Sequence, residues 1–412
     1  MKIISHPHKI QKFIRNLKLK RKTIGFVPTM GALHQGHISL IRRAKKENDI
    51  VVVSIFVNPS QFGPNEDLKK YPRPFFNDIK LCNKEGVNII FAPKANLIYP
   101  KNYLTYINVE KLSDIMCGEH RLAHFRGVTT VVTKLFNIIQ PDKVYFGLKD
   151  YQQSVIIKKM TADLNFPIKI VTCPTIREKN GLALSSRNAY LSNEDLKKYP
   201  RPFFNDIKLC NKEGVNIIFA PKANLIYPKN YLTYINVEKL SDIMCGEHRL
   251  AHFRGVTTVV TKLFNIIQPD KVYFGLKDYQ QSVIIKKMTA DLNFPIKIVT
   301  CPTIREKNGL ALSSRNAYLS NEDLKKALSI SQSLNKAKKL IEYKKSVSKK
   351  SIILEIKKVI ELNMDKIDYI EIRDADTLEE IKNIIDKKVV IAIAAYIGKT
   401  RLIDNIVVNP VR

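Results

Sequence analysis

Thr23 to Val57 reads TIGFVPTMGALHQGHISLIRRAKKENDIVVVSIFV, and the fold is decided there. Its ends, Thr23–Pro28 (TIGFVP) and Asp49–Val57 (DIVVVSIFV), are short apolar, β-branched runs with a helical-looking stretch, HISLIRRAKKEN, between them. Strand, helix, strand in that order is a βαβ unit, which by the handedness rule implies a parallel sheet. Working outward, Val87–Phe91, Lys143–Phe146 and Ile168–Thr172 are further strand candidates, with helical stretches such as Thr129–Ile139 and Gln152–Asp163 between them. The expected fold class is therefore α/β, an open Rossmann-type sheet. After Ser320 the pattern changes to a long Lys-rich amphipathic helix, another helix, and the strands DYIEIRD and VVIAIAAYI, so a small α+β C-terminal domain is expected.

The text restarts in the middle. Asn65–Ser192 and Asn193–Ser320 are identical at every position, an offset of 128 residues. Natural repeat arrays use units of roughly 20 to 50 residues that drift apart. This unit is too long for a solenoid and shows no drift. NEDLKK stands at both borders and again at Asn321–Lys326, as recombination or misassembly across a short homology would leave it. The pattern is that of a recent or artefactual duplication. Removing one copy leaves 284 of the 412 residues, room for one sizeable domain and a smaller one. The expected segments are 1–184, the nucleotide-binding domain; 193–312, a surplus duplicate of 65–184; and 313–412, the C-terminal domain.

Composition narrows the class. The N-terminal MKIISHPHKIQKFIRNLK has no long apolar run, and nowhere does one reach the roughly 18 residues that suggest a membrane span, so a cytosolic protein is expected. The six cysteines are three and their copies, with no CxxC spacing, which predicts reduced thiols and no zinc site. Net charge is +31; the repeat unit holds 19 Lys or Arg against 11 Asp or Glu, so the unduplicated text is still about +23. The charge is scattered lysine without interleaved aromatics, which predicts solvated helix faces and no nucleic-acid partner.

Chemistry concentrates in Pro28–His37, PTMGALHQGH. The chain leaves a strand, turns through Gly31 and enters a helix carrying His34 and His37 three residues apart, on one face of a helix start that already favours an anion. Gly36 would allow a ligand to approach, and the arrangement suits a nucleotide triphosphate. The turn is not GxGxxG, so a dinucleotide fingerprint is absent. IGKT at Ile397–Thr400 has Ile393 where a Walker motif needs its first glycine, and is expected to be a turn after a buried strand.

An HxGH motif on this fold resembles the nucleotidylyltransferase superfamily. With IFVNPSQFGPNEDLKKYPR (Ile55–Arg73), HFRGVTTVVTKLFNIIQPD (His124–Asp142), FGLKDYQQ (Phe146–Gln153), GLALSSRNAYL (Gly181–Leu191) and IEIRDADTL (Ile370–Leu378), the chain is similar to the pantothenate synthetase (pantoate:β-alanine ligase) family across essentially all of its unique residues. The resemblance implies ATP-dependent condensation of pantoate with β-alanine through pantoyl adenylate, with release of pyrophosphate and AMP, by a homodimer. It implies His37 (proton donor), His34 and Lys149 as catalytic. ATP would be bound by Met30, Gly31, Ala32, Leu33, His34, Gln35, Gly36 and His37, by Gly147, Leu148, Lys149 and Asp150, and by Ile176, Leu184, Ser185, Ser186 and Arg187. Gln61 and Gln153 would bind pantoate, Gln61 also β-alanine, and Asp78 and Asp150 would help hold Mg2+. Leu148 and Asn77 stand where acidic residues are common in the family, a departure that bears on the magnesium shell.

Copy 2 repeats part of this set, at Gly275, Leu276, Lys277, Asp278, Gln281, Ile304, Leu312, Ser313, Ser314 and Arg315, but has neither HxGH nor NPSQF. At most one site can be complete. Because copy 1 meets the first βαβ unit before copy 2 is synthesised, the catalytic sheet is expected to use copy 1, leaving copy 2 as half a sheet with an open edge. HxGH alone also allows another nucleotidylyltransferase or a non-catalytic product of a duplicated gene.

Overall fold

In the computed structural model, which describes residues 1–62, 68, 73–115, 117–121, 123–174, 211–249, 251–313, 316, 319–343, 347–398 and 400–410, the opening βαβ unit forms where expected. The chain runs β1 (Lys2–Ile4), α1 (Pro7–Leu19), β2 (Ile24–Thr29), α2 (Gln35–Glu47), β3 (Ile50–Ile55), α3 (Phe75–Lys84), β4 (Ile89–Phe91), α4 (Ala95–Ile98), β5 (Thr105–Val109), α5 (Cys117–His120), α6 (His124–Ile139), β6 (Lys143–Gly147), α7 (Tyr151–Asp163) and β7 (Lys169–Cys173). Six of these strands make one sheet in the order β1-β4-β3-β2-β6-β7, and every pairing is parallel. β2 and β3 are apolar along nearly their whole length because helices cover both faces of a parallel sheet. Val27, Ile38, Ile41, Val51, Val53, Ile90 and Tyr145 form a core cluster on the α2 side. The sheet draws β4, β6 and β7 from copy 1, as the order of synthesis predicts.

The sequence reading missed β1, a three-residue strand that pairs with β4 at the sheet edge. It also started α6 five residues late; the helix begins at His124.

Two compact units divide the chain. The first comprises 1–236, 258–268 and 291–295; the second comprises 237–257, 269–290 and 296–412. Copy 2 is thus shared between the units, where a separate segment 193–312 was expected. Its elements are α8 (Ala223–Ile226), β8 (Thr233–Val237), α9 (Cys245–His248), α10 (His252–Ile267), β9 (Lys271–Gly275), α11 (Tyr279–Asp291) and β10 (Lys297–Cys301). In the second unit β9 and β10 make a two-stranded parallel sheet. The same unit holds α12 (Asn321–Tyr343), α13 (Lys349–Ile360) and the antiparallel sheet β11 (Lys366–Asp374), β12 (Val389–Ile397) and β13 (Thr400–Val408). Helix residues Ile330, Leu334, Ile352 and Ile356 pack with Ile372, Ile391 and Ile393 of that sheet. IGKT is the β12–β13 turn, with Gly398 at φ +53.

One stretch shows what the missing N-terminal strands do. Copy 1 buries Ile89, Ile90 and Phe91 as β4, between β1 and β3. In copy 2 the same residues, Ile217, Ile218 and Phe219, form no strand, and Ile217 is 83% exposed.

Candidate active site

The HxGH segment is built by its own backbone. After β2 the chain turns through Gly31 (φ +85) and Ala32 (φ +51). His34 is then the N-cap of α2, its Nδ1 accepting from the Gly36 amide at 3.1 Å, while Nδ1 of His37 accepts from the His34 amide at 3.4 Å. This is a capping box made from two imidazoles, where Ser and Glu are the usual pair. Their ring centroids lie 4.1 Å apart. With Nδ1 accepting, each neutral ring carries its proton on Nε2. The sequence reading gave Gly36 to ligand approach, but a Cβ there would meet Cε1 of His34 at 2.8 Å. Gly36 makes room for the His34 ring.

Asp78, on α3, clamps the same loop. Its Oδ2 accepts from the Ala32 amide at 3.0 Å and its Oδ1 from the Leu33 amide at 2.8 Å, and the side chain is buried. Both carboxylate oxygens are thus committed to backbone donors, an arrangement that suits a positioning residue and does not suit the magnesium ligand expected from the resemblance. Behind it, burial and then the Asp78 charge push the Cys82 thiol up to about 12, so it stays protonated.

The NPSQF stretch forms a second wall. Pro59–Gln61 is a short 3-10 turn capped by buried Asn58. Asn58 Nδ2 donates to Gln61 Oε1 at 3.0 Å and to the Gly127 carbonyl of α6 at 3.1 Å, while Oδ1 accepts from the Ser60 hydroxyl at 2.9 Å. Gln61 Nε2 reaches Sδ of Met30 at 3.3 Å, and its carbonyl accepts from Nδ1 of His124 at 2.7 Å and from Arg121 at 3.3 Å. α6 approaches this turn so closely that a Cβ on Gly127 would lie 2.1 Å from the Ser60 carbonyl oxygen. Nearby, burial raises the Tyr99 hydroxyl pKa well above its usual range.

These walls bound a cleft that is open at its mouth. Met30, His37, Gln61, Asp150 and Gln153 all line it, so the structure brings together residues of HxGH, NPSQF and GLKDYQQ. Its lining combines polar groups, among them Asn58, Gln61, Arg121, His124 and Gln153, with apolar ones, Phe62 and the α6 residues Val128, Val131, Val132 and Leu135. Asn58, Arg121, His124 and the valines carried no assigned role in the sequence reading. The signal for His124 and the valines was the HFRGVTTVV string, whose His lies one turn before a glycine that touches NPSQ, and Asn58 opens NPSQ itself; Arg121 precedes the first string and had no such signal.

The other expected site residues are placed as follows. Leu33 is buried in the core and Gln35 is exposed. Gly147–Asp150 forms the 3-10 turn between β6 and α7, and Lys149 belongs to it by its backbone, its side chain being outside the described features. Ile176, Leu184, Ser185, Ser186 and Arg187 lie outside the described residues, as do Ser314 and Arg315. In the second unit Gly275–Asp278 makes the same turn, with Asn405 Nδ2 donating to the carbonyls of Leu276 (2.9 Å) and Lys277 (2.8 Å). Gln281 is half-buried there, and Ile304 and Leu312 are exposed. β9, which leads into that turn, has only β10 beside it among the described residues.

As for magnesium, Asp150 is the single carboxylate among the described residues lining the cleft, and the described residues contain no cluster of three His, Cys, Asp or Glu able to hold a metal. The donor set does not fit a protein-built cation site. No described helix is long and apolar enough to cross a membrane.

Comparison with known proteins agrees with the motifs. The family model described as Pantoate-beta-alanine ligase matches the chain twice, over residues 2–194 and 192–407, the two matches meeting at the join between copies. Pantothenate synthetase of Caldicellulosiruptor saccharolyticus is 44% identical over 278 residues, 64% of this chain and 99% of that protein. Pantothenate synthetase of Sulfurihydrogenibium sp. is 57% identical over 195 residues, 47% of this chain and 70% of that protein. A crystal structure of pantothenate synthetase from Thermus thermophilus aligns over the whole of both chains at 27% identity, with a TM-score of 0.34. With two family-model matches that together span residues 2–407 and a relative matched almost end to end, the chain belongs to the pantoate–β-alanine ligase family.

Proposed function

We propose that the cleft bounded by β2, α6 and the NPSQ turn joins pantoate to β-alanine at the expense of ATP. What supports the reading is that Gln61, Gln153 and His37 line one cleft together with apolar residues of α6. Pantoate is a carboxylate with two hydroxyls and a gem-dimethyl carbon. Neutral amides bind hydroxyls without adding charge, and Val131, Val132 and Leu135 give the methyl groups an apolar surface.

A pantoate carboxylate oxygen attacks the α-phosphorus of ATP, the bond from that phosphorus to the bridging oxygen breaks, and pyrophosphate leaves. The β-alanine amine then attacks the acyl carbonyl of pantoyl adenylate, the bond to the adenylate oxygen breaks, and AMP leaves. No protein nucleophile is needed, so positioning and charge stabilisation supply most of the rate. His34 and His37, protonated on Nε2, donate to phosphate oxygens as charge develops; the α2 N-terminus adds its dipole. Lys149 adds a point charge, and Ser185, Ser186 and Arg187 hold the outgoing pyrophosphate. Gln61 serves both pantoate and the incoming amine.

Magnesium enters as the companion of the nucleotide's phosphates, with Asp150 its candidate carboxylate, since such ions are usually held by one or two carboxylates plus phosphates. Residues 1–184 act as the nucleotide-binding domain and 313–412 as its lid. A cytoplasmic homodimer is the expectation for a chain carrying one copy of the segment.

The test is pantoate-dependent exchange of labelled pyrophosphate into ATP, followed by AMP release on adding β-alanine. Exchange that does not require pantoate, or AMP retained in the product, would replace this reading with that of a nucleotidylyltransferase.

A further inference from the structure

The two copies meet inside the first unit, and they meet reciprocally. Asp291 Oδ2 accepts from the Leu104 amide (3.0 Å) and the Thr105 hydroxyl (2.7 Å); Asp163 Oδ2 accepts from the Leu232 amide (3.0 Å) and the Thr233 hydroxyl (2.7 Å). Asn137 Nδ2 donates to the Leu292 carbonyl and Asn265 Nδ2 to the Leu164 carbonyl, each at 2.7 Å. Lys134 donates to the carbonyl of Asp291, and Lys262 to that of Asp163. Shifting every residue to its counterpart 128 positions away turns each bond into another member of the same set.

The strands obey the same rule. β5 and β8 pair, and the Glu110 amide donates to the Leu232 carbonyl at 3.0 Å. Leu232 is the counterpart of Leu104, so the register is centred on Ile107 facing Ile235, and both isoleucines are fully buried.

Contact in which residue i meets j and j meets i is an isologous, two-fold contact, the kind that closes homodimers. The groups making it are buried: Thr105, Lys134, Asn137 and Asp163 with their counterparts. Buried polar groups need partners, because an unmade hydrogen bond there is expensive. The pattern of burial agrees. α10 keeps Thr257, Thr258, Thr261, Lys262 and Asn265 buried, yet leaves Ile267 54% exposed where its counterpart Ile139 is fully buried. Copy 2 has lost its sheet-facing packing and kept this contact.

The resemblance already implies a homodimer; we infer that in this chain copy 2 takes the second subunit's place internally, seated on the strand Thr105–Val109 with Lys134, Asn137 and Asp163 around it. The 412-residue chain is then a monomer that carries its own partner. Linkage favours this outcome, because joining two binding segments in one chain makes their association an intramolecular step that does not depend on the concentration of a second chain. One contact falls outside the two-fold set, Gln11 Nε2 donating to the Asn293 carbonyl at 2.9 Å, because residues 1–64 occur once.

The test uses the full chain. Light scattering during gel filtration at micromolar concentration should give one chain mass, 47.3 kDa; twice that mass overturns the inference. As a second measurement, Ile107→Cys and the double variant Ile107→Cys with Ile235→Cys are oxidised beside the unaltered chain, facing residues of paired antiparallel strands lying within disulfide reach. The double variant should close a bond within one chain, seen as faster migration on a non-reducing gel, and the single variant should give no two-chain band. A two-chain band from Ile107→Cys alone, or a monomer whose double variant forms no internal bond, would place the partner elsewhere.

Discussion

Gly127 and Gly255 occupy the same position of two identical helices, and alanine is predicted to affect them with opposite sign. At Gly127 the new Cβ would lie 2.1 Å from the Ser60 carbonyl oxygen and 2.7 Å from the Gln61 amide nitrogen, both backbone atoms. Such contacts need at least about an ångström of movement, and overpacking of this kind typically costs about 1–3 kcal/mol. The movement also strains the bond from Asn58 Nδ2 to the Gly127 carbonyl, now 3.1 Å, for about another 1 kcal/mol. Helix propensity returns about 1 kcal/mol, so the net expectation is destabilisation by about 1–3 kcal/mol. At Gly255 nothing stands within 4 Å of the added carbon, and only the propensity gain remains, about 0.5–1 kcal/mol of stabilisation. Function should separate in the same way. Because Gly127 touches Ser60 and Gln61, Gly127→Ala should raise the KM for pantoate at least several-fold and leave the KM for ATP near its original value, while Gly255→Ala changes neither. Chemical denaturation and steady-state kinetics of the two variants measure this. Equal effects, or a larger effect at Gly255, would refute the assignment of copy 1 to the catalytic sheet.

Other perturbations test other contacts. Asp78→Asn keeps the size of the side chain but turns one acceptor of the HxGH loop into a donor; it should destabilise by about 2–4 kcal/mol, two charge-assisted bonds being affected, with the magnesium dependence of exchange unchanged. A raised magnesium requirement in that variant would restore Asp78 to the metal. His37→Ala should slow pantoate-dependent exchange by roughly 10² to 10³, the scale for one preorganised donor, and a near-normal rate would remove His37 from catalysis. Lys262 is pushed down to about 8 from its ordinary 10.5, by burial first, then with Asp163 opposing and Lys159 reinforcing the shift; Tyr227 and Tyr231 lie against it. Above about pH 8 the folded chain has released this proton and the unfolded chain still holds it, so stability should rise with pH up to about 10, where tyrosines begin to ionise. Denaturation between about pH 7.5 and about pH 9.5 should show the rise in the unaltered chain and its loss in Lys262→Met; a flat or falling profile in the unaltered chain would contradict it.

Much of the fold was legible because the deciding signals are local. TIGFVP and DIVVVSIFV are buried on both faces, so their apolar runs are continuous and their strands fell where expected. HxGH was legible as a helix start because the N-cap geometry involves only residues 34 to 37. What escaped notice depends on distant partners. Three residues at Lys2–Ile4 are a strand only because β4 lies beside them. Asp78 is expected at a magnesium ion until the Ala32 and Leu33 amides are seen to converge on it. Asn58 is one of many asparagines until Gln61, Ser60 and Gly127 are found around it.

The duplication turns this dependence into a controlled comparison within one molecule. Local propensity is identical in the two copies, so every difference between them measures context alone. β4 and its counterpart share VNIIF, yet one is a buried strand and the other an exposed segment, because β1 and β3 are encoded once. Tyr145 is fully buried and its counterpart Tyr273 is 63% exposed for the same reason, since β2 and α2 pack over one of them only. The hydrogen bonds of Thr105, Lys134, Asn137 and Asp163 recur in both copies with matching geometry, because each copy supplies the other's partner. Features that need residues 1–64 appear once, and features that need only the repeated segment appear twice. By that criterion the catalytic cleft requires the unrepeated N-terminus, and the contact centred on Ile107 is a property of the repeated segment itself.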